Sequence, residues 1–138
     1  MPSLITLLHL AAAVHLCVAA ANVFAFGKFR YREHLRAVPL IVQQVFLVQN
    51  AYIMALQVGM ALLCAFFAPE LTSGRAMSVA IAGFLAVFWI SRVVLQLGYY
   101  DRTLRRANRG FDVLFVLADA YLGTVYAATS LVAILRLH

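Results

Sequence analysis

"FWISRVVLQLGYYDRTLRRANRG", residues 88–110, begins as a membrane helix and ends as a cluster of arginines. Its first half is apolar apart from Ser91, Arg92 and Gln96. An arginine stays protonated in proteins. Near the middle of a bilayer it costs about 2.5–3.5 kcal/mol on insertion scales. Arg92 lies eight residues before Tyr100, hence roughly 12 Å in from the helix end at about 1.5 Å per residue. The chain must therefore supply a partner for it from another span.

Working outward from this stretch, the same apolar pattern recurs. The 138 residues are 65% hydrophobic and 12% charged, whereas a soluble domain carries about 25% charged residues. Four apolar runs, at about residues 4–26, 39–68, 76–100 and 111–135, each approach or exceed the ~20 residues that cross a bilayer. The expectation is an all-α, integral membrane, up-down four-helix bundle, a single transmembrane domain over residues 1–138, because short connections make successive helices antiparallel. The first run has small residues around Ala19–Ala21 but no Lys or Arg ahead of it, so it reads as a helix and not as a signal peptide.

The net charge of +6 does not mark a nucleic-acid binder, because its placement is topological. Lys28, Arg30, Arg32 and Arg36 follow the first run, and Arg102, Arg105, Arg106 and Arg109 follow the third. The middle connection has only Arg75, beside Glu70. Basic residues on alternate connections place those two in the cytoplasm and both termini outside. There they rest against anionic lipid headgroups. Cys17 and Cys64 lie within spans at no metal-like spacing and read as small core residues. Pro39 suits the first turn of the second span, and Pro69 and Gly74 break the chain before the third. The alanines at 11–13 and 19–21 allow close helix packing, within the bundle or against another subunit.

Residues three, four and seven apart share a helix face. On that basis His15 and Asn22 align on the first span, and Gln43, Asn50 and Gln57 on the second, with Gln44 and Gln49 beside them. Trp89, Arg92, Gln96 and Tyr99 align on the third, and Asp112, Asp119 and Tyr126 on the fourth. Most of these belong to the cytoplasmic half of the membrane; His9, Gln57 and Tyr126 are the chief exceptions. A channel needs polar lining throughout, so this lining predicts a blind pocket instead. Asp119 matches Arg92 in depth and is its expected partner, with Gln96, Asn50 or Tyr121 completing the hydrogen bonds. The expected ligand site comprises Gln43, Asn50, Arg92, Gln96, Tyr99 and Asp119, because this many amides exceed what one ion pair can satisfy. His15 is expected to be a hydrogen-bonded packing residue, since no second span offers a partner histidine for a haem.

"SRVVLQLGYY", residues 91–100, resembles the third-helix segment of the membrane-associated proteins in eicosanoid and glutathione metabolism, in which an arginine and a short apolar stretch precede Gly-Tyr-Tyr. Chain length, four helices and outward termini are similar too. The resemblance implies a trimer that binds glutathione in a cytoplasm-facing pocket between subunits, with Arg92 and Tyr99 as the positions carried over. The second span departs from that family: Ala51, Tyr52 and Ile53 follow Asn50 where Asn-x-x-Glu is usual, and the nearest upstream arginine is Arg36.

The residues themselves point first to a pocket for an amphipathic ligand such as a lipid, quinone or isoprenoid. They leave open whether it is also an enzyme of a transferase-like kind; in that case Arg92 clamps an anion, Tyr99 donates a proton and Asp119 orients Arg92. The alternative is a non-enzymatic subunit of a larger membrane complex, docked through the alanine face of the first span. An oligomeric transporter or channel ranks third, because the outer half is close to plain hydrocarbon.

Overall fold

The computed structural model describes residues 2–137. Among them the chain forms seven helices and no strand: α1 (Pro2–Lys28), α2 (Tyr31–Leu35), α3 (Leu40–Phe66), α4 (Ala68–Leu71), α5 (Ala76–Gly98), α6 (Arg102–Ala107) and α7 (Arg109–Leu137). The four long ones, α1, α3, α5 and α7, are long and apolar enough to cross a membrane. The fold is thus a four-helix membrane bundle. The end bearing α2 and α6 with their arginines is called here the basic end, and the opposite one the terminal end.

The spans differ from the expected ones by at most two residues at either end. α7 starts at Arg109 and runs to Leu137, while α3 stops at Phe66. Pro39 is the residue before α3, in extended backbone with φ −52° and ψ 145°. A proline there presets the helix entry and removes an amide that would lack a partner. At the terminal end Gly74 has φ +79°, and a Cβ on it would lie 2.7 Å from Cβ of Arg136. Only glycine satisfies both the left-handed turn and the close approach. Arg136 also donates to the carbonyl of Thr72 at 2.6 Å, so the last turn of α7 clasps this connection.

α5 and α7 form the most extensive pairing, followed by α1 with α3, and α1 with α7 joins the two hairpins. Glycine sets the α5–α7 approach: a Cβ on Gly123 would meet Cγ1 of Ile90 at 2.9 Å and its backbone nitrogen at 3.3 Å. Small residues permit such approaches in lipid, where packing and hydrogen bonds take over from the hydrophobic effect. α3 and α5 scarcely meet. A groove of about 490 Å³ separates them, lined by Leu56, Gly59, Met60, Leu63 and residues 80, 81, 84 and 85.

The core is weighted towards the terminal end. Leu8, Ala11, Met60, Cys64, Leu85, Trp89, Leu122 and Tyr126 form it. All buried positions of α3 (Gln57, Met60, Ala61 and Cys64) lie in its terminal half, whereas its basic half is largely exposed. The four long helices therefore meet towards the terminal end, and α3 diverges from the others towards the basic end. Ala11, Ala12 and Ala19 of α1 are buried within this bundle.

Candidate functional site

The burial of charge orders the basic half. Asp119 of α7 is completely buried, and Nε of Arg92 on α5 donates to its Oδ2 at 3.3 Å. The Arg92 guanidinium also lies 5.6 Å from the Trp89 ring centroid. Such a stack and ion pair together offset the desolvation of a permanent charge. The Arg92 side chain keeps 36% of its surface exposed, and the carboxylate none. Oδ1 of Asp119 and Nε1 of Trp89 are buried without a hydrogen-bond partner. One is an acceptor and the other a donor, so this layer is incomplete with protein groups alone.

Nearer the basic end Asp112 forms a clamp. It sits in the first turn of α7, where a carboxylate is favoured by the helix dipole. Arg105 of α6 donates to it side-on, Nε to Oδ1 at 2.8 Å and Nη2 to Oδ2 at 3.0 Å. Asp112 holds the Arg105 pKa above its ordinary value, so this cation does not titrate in any accessible range. Gln96 of α5 donates to Oδ1 and to the backbone carbonyl of Asp112, at 3.1 and 3.2 Å. Nη1 of Arg105 reaches the carbonyl of Leu97 at 3.3 Å. Three helices are thereby tied through one carboxylate.

Beside the clamp is a cavity of about 310 Å³. Asn22, Gln96, Asp101, Arg105, Asn108 and Asp112 provide its polar lining. Phe29, Tyr31, Tyr100, Phe111 and Phe115 provide its aromatic walls. Phe29 and Phe111 meet edge to face, with centroids 5.8 Å apart.

A second polar layer lies about 10 Å farther along α7, seven residues from Asp119 at about 1.5 Å each. His15, fully buried on α1, has Nδ1 2.7 Å from Oε1 of Gln57 and Nε2 2.8 Å from the hydroxyl of Tyr126. The Tyr126 hydroxyl is 2.9 Å from Sγ of Cys64. An amide oxygen only accepts, so Nδ1 carries the imidazole proton and Nε2 accepts from Tyr126. Tyr126 then accepts from the Cys64 thiol. With the Gln57 amide oxygen facing a neutral imidazole, the direction runs from Cys64 to Tyr126 to His15 to Gln57. Trp89 meets the imidazole edge-on with centroids 5.2 Å apart.

Of the six residues expected to form one site, Arg92 and Asp119 are brought together and Gln96 lies on the same helix face one turn away, bonded to Asp112. The other three are placed elsewhere. Gln43 donates to the carbonyl of Val38 at 2.9 Å, closing the entry to α3. Asn50 is half-buried on the part of α3 that diverges from the bundle. Tyr99, just past the end of α5, is 81% exposed and packs against Tyr100, which lines the cavity in its stead. Tyr121 donates to the carbonyl of Leu7 at 2.9 Å and not to Asp119. His15 is a hydrogen-bonded packing residue, as its sequence context implies. Sequence reasoning missed the Asp112–Arg105 clamp and the participation of Cys64. The first had a signal, since Asp112 already stood on the polar face of its span; a thiol among apolar residues has none.

No family model, curated protein or solved structure matches the chain.

Proposed function

We propose that this multi-pass membrane protein binds an amphipathic, lipid-like ligand at its basic end, and that this end faces the cytoplasm. The supporting observation is the cavity beside the Asp112 clamp, where amide, carboxylate and guanidinium groups share one hollow with five aromatic side chains. Such a mixture suits a molecule with a polar head and an apolar body. Asn22 and Asn108 lie where they can meet the head, and Phe111 and Phe115 where they can cover the tail. The clamp keeps α5, α6 and α7 fixed around them, so the cavity persists without ligand.

A photo-reactive fatty acid or lysolipid tests this in membranes. Labelling is expected on Phe29, Tyr100, Phe111 and Phe115, competed by unlabelled amphiphile. Uniform labelling of lipid-facing positions on α3 defeats the proposal. Glutathione in the same competition examines what the third-helix resemblance implies. Orientation has its own test: a cysteine at the exposed Ala107 should react with an impermeant reagent from the cytoplasmic side alone.

One observation favours the second reading, a subunit of a larger complex or homo-oligomer. The basic half of α3 is largely exposed, with Tyr31 of α2 against its Phe46, and it exposes Gln44 and Gln49. Amides facing hydrocarbon are costly, and a partner helix would cover them. Cross-linking from Gln49→Cys distinguishes a partner from lipid.

A further inference from the structure

The α6–α7 elbow holds a second hollow on the other side of the clamp. α6 ends at Ala107 and α7 starts at Arg109, with Asn108 between them. This break brings Arg102, Arg105 and Arg106 from one helix and Arg109 from the other around a space of about 450 Å³, which also has Asp112 and Val113 in its lining. Arg105 is committed to Asp112. None of the salt bridges among the described residues engages Arg102, Arg106 or Arg109. Three guanidinium groups therefore share one hollow whose lining carboxylate, Asp112, is already bound by Arg105, so they repel one another and favour an anion.

We propose that this hollow is a binding site for the phosphate headgroup of a multiply charged anionic lipid. The planar donor forks of arginine match phosphate oxygens in pairs, and several together favour a headgroup with more than one negative charge. The surroundings select a lipid over a soluble anion. Val113 lines the hollow beside the arginines, and the same two helices expose further apolar side chains, Leu117 on α7 and Val94 and Leu97 on α5. A head among the arginines can leave its chains along such apolar surface. Lys28, 4.6 Å from the centroid of Phe111, adds a cation on the opposite flank of the α7 start. The hollow shares Arg105 and Asp112 with the aromatic cavity, but Arg102, Arg106 and Arg109 line this hollow alone, so each proposal can fail without the other.

The test is competitive lipid binding to the full chain in detergent, read by native mass spectrometry. The probes are phosphatidic acid and cardiolipin against phosphatidylglycerol and phosphatidylcholine, with inorganic phosphate and pyrophosphate as soluble competitors. The wild type should retain the multiply charged lipids about tenfold over phosphatidylglycerol, which is about 1.4 kcal/mol. Combined Arg102→Gln, Arg106→Gln and Arg109→Gln should abolish this preference and leave the clamp intact. Combined Arg30→Gln, Arg32→Gln and Arg36→Gln removes equal charge from the other basic connection and should preserve it. Absence of preference in the wild type overturns the proposal whatever the variants do. So does equal loss in both triple variants, which means general attraction to a charged surface. Release of the lipid by pyrophosphate at matching concentration overturns the assignment to lipid.

Discussion

The His15 layer and the Arg92 layer are both buried, both cross between helices, and both touch Trp89, yet they are finished to different degrees. In the first, each imidazole nitrogen, the Tyr126 hydroxyl and the Cys64 thiol have neighbours at 2.7–2.9 Å. In the second, one carboxylate oxygen and the indole N–H have none. The closed layer uses neutral groups and sits where four helices converge. The open layer uses full charges and sits where α3 has begun to leave. A neutral network can be completed from within a tight bundle. A charged one sets the register of α5 against α7, yet it leaves hydrogen-bonding capacity that water or a ligand can take.

The largest effect that separates the layers comes from removing one charge. Arg92→Leu leaves Asp119 buried without its cation and should cost about 3–5 kcal/mol of stability. Adding Asp119→Leu should restore most of that loss. Unfolding of the purified protein in mixed micelles measures both; equal stability of the single and double variants would show that the carboxylate does not depend on Arg92.

Next in size is the helix approach between the two layers. Gly123→Ala places a methyl 2.9 Å from Cγ1 of Ile90 and should destabilise by about 1–3 kcal/mol through overpacking. Thermal unfolding of the variant reads it. Tyr126→Phe follows, at about 0.6–2 kcal/mol, because hydrogen bonds between membrane helices contribute modestly. It unlinks His15 from Cys64, and thermal unfolding reads the loss; unchanged stability would show that the hydroxyl does not hold the layer together. Smallest is Gly59→Ala on the open groove, where nothing lies within 4 Å of a Cβ. Its expected effect stays within about 0.5 kcal/mol, and a larger loss would mean that α3 and α5 close on each other in the membrane.

Charge made one layer legible in the sequence and neutrality hid the other. An arginine and an aspartate at matched depth have few affordable arrangements in hydrocarbon, so Arg92 and Asp119 could be paired from position alone. The spans were legible for the same reason, since length and apolarity are what a bilayer demands. His15, Gln57, Tyr126 and Cys64 carry no such constraint. Each fits lipid, core or pocket, and only the choice of neighbouring helices joins them. The divergence of α3 was hidden too: Gln43 and Asn50 share a face with Gln57, but a shared face does not say how far along it another helix remains in contact. Tyr99 caps the end of α5, where period no longer fixes direction. The short helices α2, α4 and α6 lie in connections whose shape is set by the spans they join.

The clasp between Arg136 and the connection at residues 72–75 has a consequence for how the chain can be made. The bundle consists of two hairpins, α1 with α3 and α5 with α7, and the clasp holds the connection between them from the far end of the chain. Each hairpin begins and ends on the same side of the membrane and can enter it as a unit. The covalent link at Gly74 is then duplicated by a non-covalent one. Two halves translated separately and cut at that glycine should find each other and co-purify, and Arg136→Ala should matter more to the divided protein than to the continuous one.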